Sequence, residues 1–269
     1  VGAVHVVYYT DPACPWSWAA EPALRRLQAE FGESLTITYV MGGLAREFSK
    51  PLETMRHVFE AGEASGMPVD ARLWLDHPPA SSYPACQGVK AAADQRLDGA
   101  YLRVVREGLM VERRKIDTVD ALVDAARRTP GMDIARFEID LLSHATAEAF
   151  AADLDRVRAA APDRHADNPG RVPLPSFEFT GDDGELHGVY DQGAVEPLVA
   201  AARAAGAQRQ AGPPGVEEAL RRFGGMATAE VAAVCELPGP RAAAELWRLA
   251  AEWRVRAERV LTGELWHLA

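Results

Sequence analysis

The sequence predicts a mixed α/β fold whose sheet is assembled from the two ends of residues 1–212 around a long helical insertion, with a small separate module at 213–269. Three observations predict it. A strand–helix–strand pattern fills the chain up to Met41, helical patterning runs from Pro51 to about Ala161, and strand patterning returns at Ser176. A helical block of that length between strand-rich segments is an insertion between the halves of one sheet.

Taken in order, the run His5–Thr10 is β-branched and aromatic and stops at Asp11-Pro12, which reads as a buried strand and a turn. After Cys14-Pro15 the apolar positions Trp18, Ala19, Pro22, Ala23, Leu24 and Leu27 keep helical spacing as far as Gly32. Pro15 suits a first helical turn, where its missing N–H costs no hydrogen bond. Leu35–Met41 is a second strand, broken at Gly42-Gly43, and the sum favours a right-handed βαβ crossover. The insertion, about 51–165, contains amphipathic stretches at 85–97, 100–112, 119–128, 134–142 and 147–160. They are separated by breaks at Ser81–Pro84, Thr129-Pro130-Gly131 and Pro162.

Ser176–Thr180, the turn Gly181-Asp182-Asp183-Gly184 and Glu185–Tyr190 then form a hairpin. A helix at Ala194–Ala205 covers the sheet, and Ala207–Gly215 reads as a linker. Past it come helices at Val216–Phe223, at Thr228–Cys235 with Thr228 as N-cap, and at Arg241–Trp253, followed by an alternating hairpin from Val255–Val260 to Glu264–Leu268. Three short helices and a terminal hairpin look like a winged-helix module.

Charge and composition narrow the function. The 269 residues carry 29 Lys+Arg against 39 Asp+Glu, net −10, with 48% apolar and 25% charged residues, as in a folded globular chain with no basic stripe for a phosphate backbone. Residues 213–269 hold 7 Arg and 8 Glu, and on the third helix Arg241 and Arg248 are balanced by Glu245 and Glu252. The module therefore reads as a packing or partner-binding unit, with no nucleic acid expected. On that helix Leu246, Trp247, Leu249 and Trp253 are spaced as core, leaving one aromatic exposed. The first residues lack a basic n-region and no run approaches the roughly 20 apolar residues of a membrane helix, so a cytoplasmic protein without a membrane partner is expected. Three cysteines are too few and too far apart for a disulfide framework or a zinc site, and the seven histidines show no ligand spacing, so no metal is expected.

The chemically loaded stretch is Tyr9-Thr10-Asp11-Pro12-Ala13-Cys14-Pro15-Trp16-Ser17-Trp18. A cysteine between a buried strand and a helix N-terminus sits beside unpaired backbone N–H groups and the positive end of the helix dipole, so its pKa is expected below that of a free thiol. Cys86 begins an Ala-rich helix and Cys235 ends one in the last module, where both read as structural. Cys86 becomes a remote resolving thiol only if the insertion folds it over the site.

Strand, Cys-Pro-Trp-X and helix, followed by the insertion and the returning hairpin, resemble the DsbA-like (FrnE-type) branch of the thioredoxin superfamily over roughly Val4–Ala205. That resemblance implies a thioredoxin-like fold, thiol-disulfide oxidoreductase-like activity at Cys14, and a cis-proline loop facing it, matched by Val172-Pro173-Leu174-Pro175-Ser176-Phe177 with Pro175 as the cis residue. Where the family carries its second cysteine this chain has Ser17, so the site is a monothiol Cys-Pro-Trp-Ser. Such a site forms mixed disulfides with protein or low-molecular-weight thiols, but cannot close a disulfide within its own motif. The expected site is then Cys14 and Ser17 for chemistry, with Pro15, Trp16, Leu174 and Pro175 binding a peptide thiol partner. No tightly bound cofactor is expected, although glutathione or another small thiol would suit the groove. A serine in the motif also resembles the glutathione transferase kappa and hydroxychromene-carboxylate isomerase relatives, but there it occupies the Cys14 position. The combination with a winged-helix module, with Asp11-Pro12-Ala13-Cys14-Pro15, Trp18-Ala19 and Glu21-Pro22, is similar to the YjbH/SpxH adaptor group. This second resemblance implies a non-catalytic adaptor that presents a partner protein to the ClpXP protease.

Overall fold

The computed structural model describes residues 3–160, 170–210 and 212–269. Strand β1 (Val4–Thr10) lies between β2 (Leu35–Met41), to which it is parallel, and β3 (Ser176–Thr180), to which it is antiparallel, and β4 (Leu186–Val189) completes the order β2-β1-β3-β4. The register pairs Val4 with Leu35 and His5 with Thr180. In β1 every residue except His5 is buried, as suits an inner strand covered on both faces. Tyr8 stacks on Phe177 across the β1–β3 pair, with ring centroids 4.2 Å apart.

The helix expected from Pro15 to Gly32 is two: α1 (Pro15–Ala19) and α2 (Glu21–Phe31). Pro22 is the cause. It has no N–H to give the carbonyl four residues back, so the helix restarts, with Ala23 and Leu24 both donating to the Ala20 carbonyl. The insertion comprises α3 (Pro51–Ser65), α4 (Leu73–Asp76), α5 (Tyr83–Ala93), α6 (Asp98–Met110), α7 (Val119–Arg127), α8 (Ile134–Leu141) and α9 (His144–Ala159). The break expected at Pro162 lies outside the described residues. A carboxylate anchors the insertion to the sheet: Asp153 on α9 pairs with Lys90 on α5 at 2.8 Å and accepts the Met41 N–H at 2.8 Å. Helix α10 (Val195–Ala204) packs on α2 and β4.

After the connection, α11 (Val216–Phe223), β5 (Met226–Ala227), α12 (Thr228–Val234), α13 (Pro240–Ala251), β6 (Val255–Val260) and β7 (Gly263–Leu268) build a second unit with sheet order β5-β7-β6 around Met226, Val231, Leu246, Leu249 and Trp266. Two expectations need correction here. Thr228 is not the N-cap of α12. The cap residue is Ala227, whose N–H is held by the Glu230 carboxylate at 2.7 Å, while the Thr228 hydroxyl accepts the Trp266 indole N–H at 3.0 Å. Nor is one aromatic exposed on the third helix, but two, Trp247 at 57% and Trp253 at 87%. Helix α13 ends at Ala251, and Trp253 takes a left-handed backbone conformation (φ +59°) that carries its ring off the helical face.

The second unit docks on α2. Arg26 donates to the Ala233 carbonyl and pairs with Glu236, and Arg222 donates to the Gln28 carbonyl. On another side, Thr262 Oγ1 accepts the Val69 N–H at 2.8 Å.

Candidate functional site: a buried thiol at the head of a groove

Cys14 stands where β1 ends and α1 begins, as its N-cap residue, but its side chain does not cap the helix. It is only 2% exposed, and its Sγ donates to the Leu174 carbonyl at 3.6 Å. The Leu174–Pro175 peptide is cis. Gly42 makes the approach of Leu174 possible, because a Cβ there would stand 2.4 Å from a Leu174 methyl.

Contrary to the sequence expectation, the Cys14 thiol is pushed above the usual thiol pKa. Burial is the main cause, and the nearby Asp11 carboxylate adds to it; the Ser17 hydroxyl and backbone and the Arg106 guanidinium pull the other way and do not prevail. Helix α1, of five residues, supplies a weak dipole that does not offset the desolvation of the thiol. Ser17 lies against the thiol and favours its thiolate, yet its own buried Oγ has no conventionally formed hydrogen bond.

Beneath the thiol lies a cluster that sequence reasoning read only as a turn. Asp11 is fully buried and accepts four hydrogen bonds: from the Ala13 N–H (2.8 Å), the Leu44 N–H (2.6 Å), the Ser82 hydroxyl (3.0 Å) and the Cys86 thiol (3.2 Å). Burial raises its pKa despite these donors. One carboxylate thus ties the Cys14 loop, the loop after β2 and helix α5 together. Cys86 is committed to that carboxylate, and burial and the Asp11 charge hold its thiol well above the ordinary pKa. Burial likewise pushes the Cys235 thiol up to about 11.

The groove in front of Cys14 encloses about 580 Å3. Pro15, Trp16, Pro173 and Leu174 line it together with Leu44, Phe48, Thr54, His57, Arg171, Tyr190 and Asp191. Trp16 is 42% exposed and separates this groove from a second hollow lined by Pro175, Ala19, Pro22 and Val195. The expected residues Cys14, Pro15, Trp16 and Leu174 therefore come together in one groove, Ser17 stands behind it in the core, and Pro175 faces the neighbouring hollow. Arg171 and His57 were missed. The Arg171 guanidinium is held by the carbonyls of Gly42, Gly43 and Leu44, which fixes that wall.

On the other side of the thiol runs a second buried polar cluster. Arg106 donates to Glu21 at 2.5 Å and to the Thr10 hydroxyl at the end of β1. Arg103 bridges Glu21 (3.0 Å) and Glu230 (2.7 Å), and Arg25 pairs with Glu230 at 2.8 Å. The Arg103 guanidinium also lies 4.6 Å over the Trp18 ring. This chain of charges runs from the base of the Cys14 loop into the C-terminal unit.

A thioredoxin family profile matches residues 8–159. The chain belongs to the thioredoxin family. It is also similar over nearly its whole length to proteins named as ClpXP adapter protein SpxH: 26% identical to that of Halalkalibacterium halodurans and 28% to that of Shouchella clausii, each alignment covering 98% of this chain and 88% of the relative. Among solved structures it resembles a putative protein disulfide isomerase from Nitrosomonas europaea (TM-score 0.64, 18% identity, 75% of this chain and 97% of that one). The cytosolic disulfide reductase DsbM of Pseudomonas aeruginosa is similar too (TM-score 0.59, 20% identity, 74% and 97%). These two likenesses speak for the thioredoxin-like, DsbA-like fold alone. Among the described residues no helix is long and apolar enough to cross a membrane.

Proposed function

We propose that this chain is a protein-binding adaptor of the SpxH type, one that holds a partner for the ClpXP protease, and that the groove at Cys14 is part of the surface that grips it. The observation that carries this reading is the placement of the thiol: Cys14 is buried and hydrogen-bonded to Leu174, in a motif whose second thiol position is Ser17, and its burial raises the thiol pKa. A dithiol catalyst needs an accessible thiolate and a resolving partner, and Cys86 is bound to Asp11 instead. The C-terminal unit supports the same reading, since the SpxH relatives align across it.

A second reading, mixed-disulfide formation at Cys14 with a protein thiol or a small thiol such as glutathione, is favoured by one feature: Cys14 does line a groove beside a cis-proline loop. In that case the partner arrives already oxidised as a disulfide: Cys14 loses its proton to water and attacks the partner's sulfur, the old S–S bond breaks as the new one forms, and the other sulfur leaves as a thiolate, with Trp16 and Leu174 flanking the new bond. One experiment separates the two. Under reducing conditions, a Cys14→Ala chain is expected to retain the partner bound by the wild-type chain and to support its degradation by ClpXP. Loss of the partner both on reduction and on Cys14→Ala would overturn the adaptor reading in favour of the covalent one.

A further inference from the structure

The main sheet has two edge strands, β2 and β4, and the backbone of β2 shows which of its groups face outward. Gly42 donates inward to Thr10 of β1, whereas the Met41 N–H is taken by Asp153 and the Tyr39 carbonyl by Lys90, both outside the sheet. Strand residues alternate, so the odd-numbered residues Leu35, Ile37, Tyr39 and Met41 direct their main-chain groups to the free edge. The Leu35 N–H closes a turn with Gly32. That leaves the Leu35 carbonyl, both main-chain groups of Ile37 and the Tyr39 N–H without a hydrogen-bond partner among the described residues. Lys90 of α5 and Asp153 of α9 block the Tyr39 carbonyl and the Met41 N–H, so the open stretch runs from the Leu35 carbonyl to the Tyr39 N–H.

The side chains of Leu35, Ile37 and Tyr39 share one face of the sheet, and all three line a cavity of about 890 Å3 between α2, α6 and the loop that follows α11. In a chain of net charge −10, five arginines line this cavity against three acidic residues, Glu21, Asp98 and Glu107. Arg25 and Arg103 are consumed by buried carboxylates, and Arg222 donates to Gln28. Arg96 and Arg221 make no side-chain hydrogen bond or ion pair among the described residues, and both are exposed.

We propose that an extended acidic segment of a partner protein pairs with β2 along Leu35–Tyr39 and sets its carboxylates on Arg96 and Arg221. An added strand satisfies the open edge through its main chain, and every second side chain of it falls on the face of the arginine-lined cavity. Charge disfavours the obvious competitor, since two copies of this chain paired edge to edge would each present arginines and no acidic strand to meet them. The surface is distinct from the Cys14 groove, and it stands whether or not that groove grips a partner.

The test uses the full chain and two labelled nine-residue peptides, one with Glu and one with Lys at every second position and Thr or Val between. The Glu peptide is expected to bind, with an affinity that falls as salt rises, and to slow exchange of the Ile37 and Tyr39 amides. The Arg96→Glu/Arg221→Glu chain, altered only at exposed residues, should bind it at least tenfold more weakly. Ile37→Pro should also weaken binding by deleting an outward N–H at an edge where proline is tolerated; if that variant does not fold, the charge reversal decides. A Cys14→Ala chain should bind the Glu peptide as the wild type does, which separates this result from the fate of the groove reading. Equal binding of the Lys peptide, an unaffected charge-reversed chain, unprotected Ile37 and Tyr39 amides, or protection of those amides by self-association without peptide would each overturn the proposal.

Discussion

Two buried carboxylates flank the Cys14 loop, and their surroundings give them opposite characters. Asp11 is met by neutral donors only, and burial raises its pKa. Glu21 is pushed up by burial too, but Arg103, Arg106 and Arg25 outweigh that and hold it below the ordinary range. The first kind of site organises a loop while keeping its surroundings protonated. The second is an electrostatic lock whose parts cannot be removed singly, because each leaves an uncompensated charge behind. The thiol sits beside the first, and the C-terminal unit is fastened by the second.

The largest expected effect breaks the lock. Glu230→Ala strips a fully buried partner from Arg25 and Arg103 and is expected to cost about 3–5 kcal/mol, read as a lower denaturant midpoint together with faster proteolysis at 207–215. Within the C-terminal unit the aromatic residues divide the same way. Trp266→Ala should lose about 3–5 kcal/mol as a core truncation, whereas Trp253→Ala, at an exposed position, should stay within about 0.5 kcal/mol. Asp11→Asn keeps one oxygen for the donors at Leu44, Ser82 and Cys86 but sets its amide N–H₂ against the Ala13 N–H, and is expected to cost about 1–3 kcal/mol.

Acid distinguishes the two carboxylates by sign. Glu21 has a depressed folded pKa, so its contribution is present above its ordinary 4.5 and is lost as pH falls through the folded value. Asp11 has a raised one, so its contribution is present below its ordinary 3.8 and is lost as pH rises through the folded value. Denaturant midpoints between pH 6 and 3 should therefore fall less steeply for Glu21→Gln than for the wild type, and more steeply for Asp11→Asn.

Much of this was legible in the sequence. The βαβ start, the insertion and both hairpins follow from local patterning, because strands and helices announce themselves within a few residues, whereas the groove residues Cys14, Trp16 and Leu174 are expected from the family resemblance that the motif and the loop before β3 carry. The buried clusters do not. Glu21 and Glu230 meet at Arg103 across 82 and 127 residues of chain, and nothing in the local pattern of any of them signals it. Asp11 looked like a turn residue, since its partners Ser82 and Cys86 lie 71 and 75 residues away. The thiol pKa was misjudged for the same reason: the helix terminus is local and visible, whereas burial under the Leu174 loop is contributed from 160 residues downstream.

Whether Cys14 is a buried thiol with no activation is read from the rate of its alkylation by iodoacetamide in the folded chain, followed against pH by mass spectrometry of the Cys14 peptide. The expected profile is slow at neutral pH, with an inflection above the ordinary 9.0 of a free thiol. Fast alkylation with an inflection well below that value would show an activated nucleophile and contradict the account.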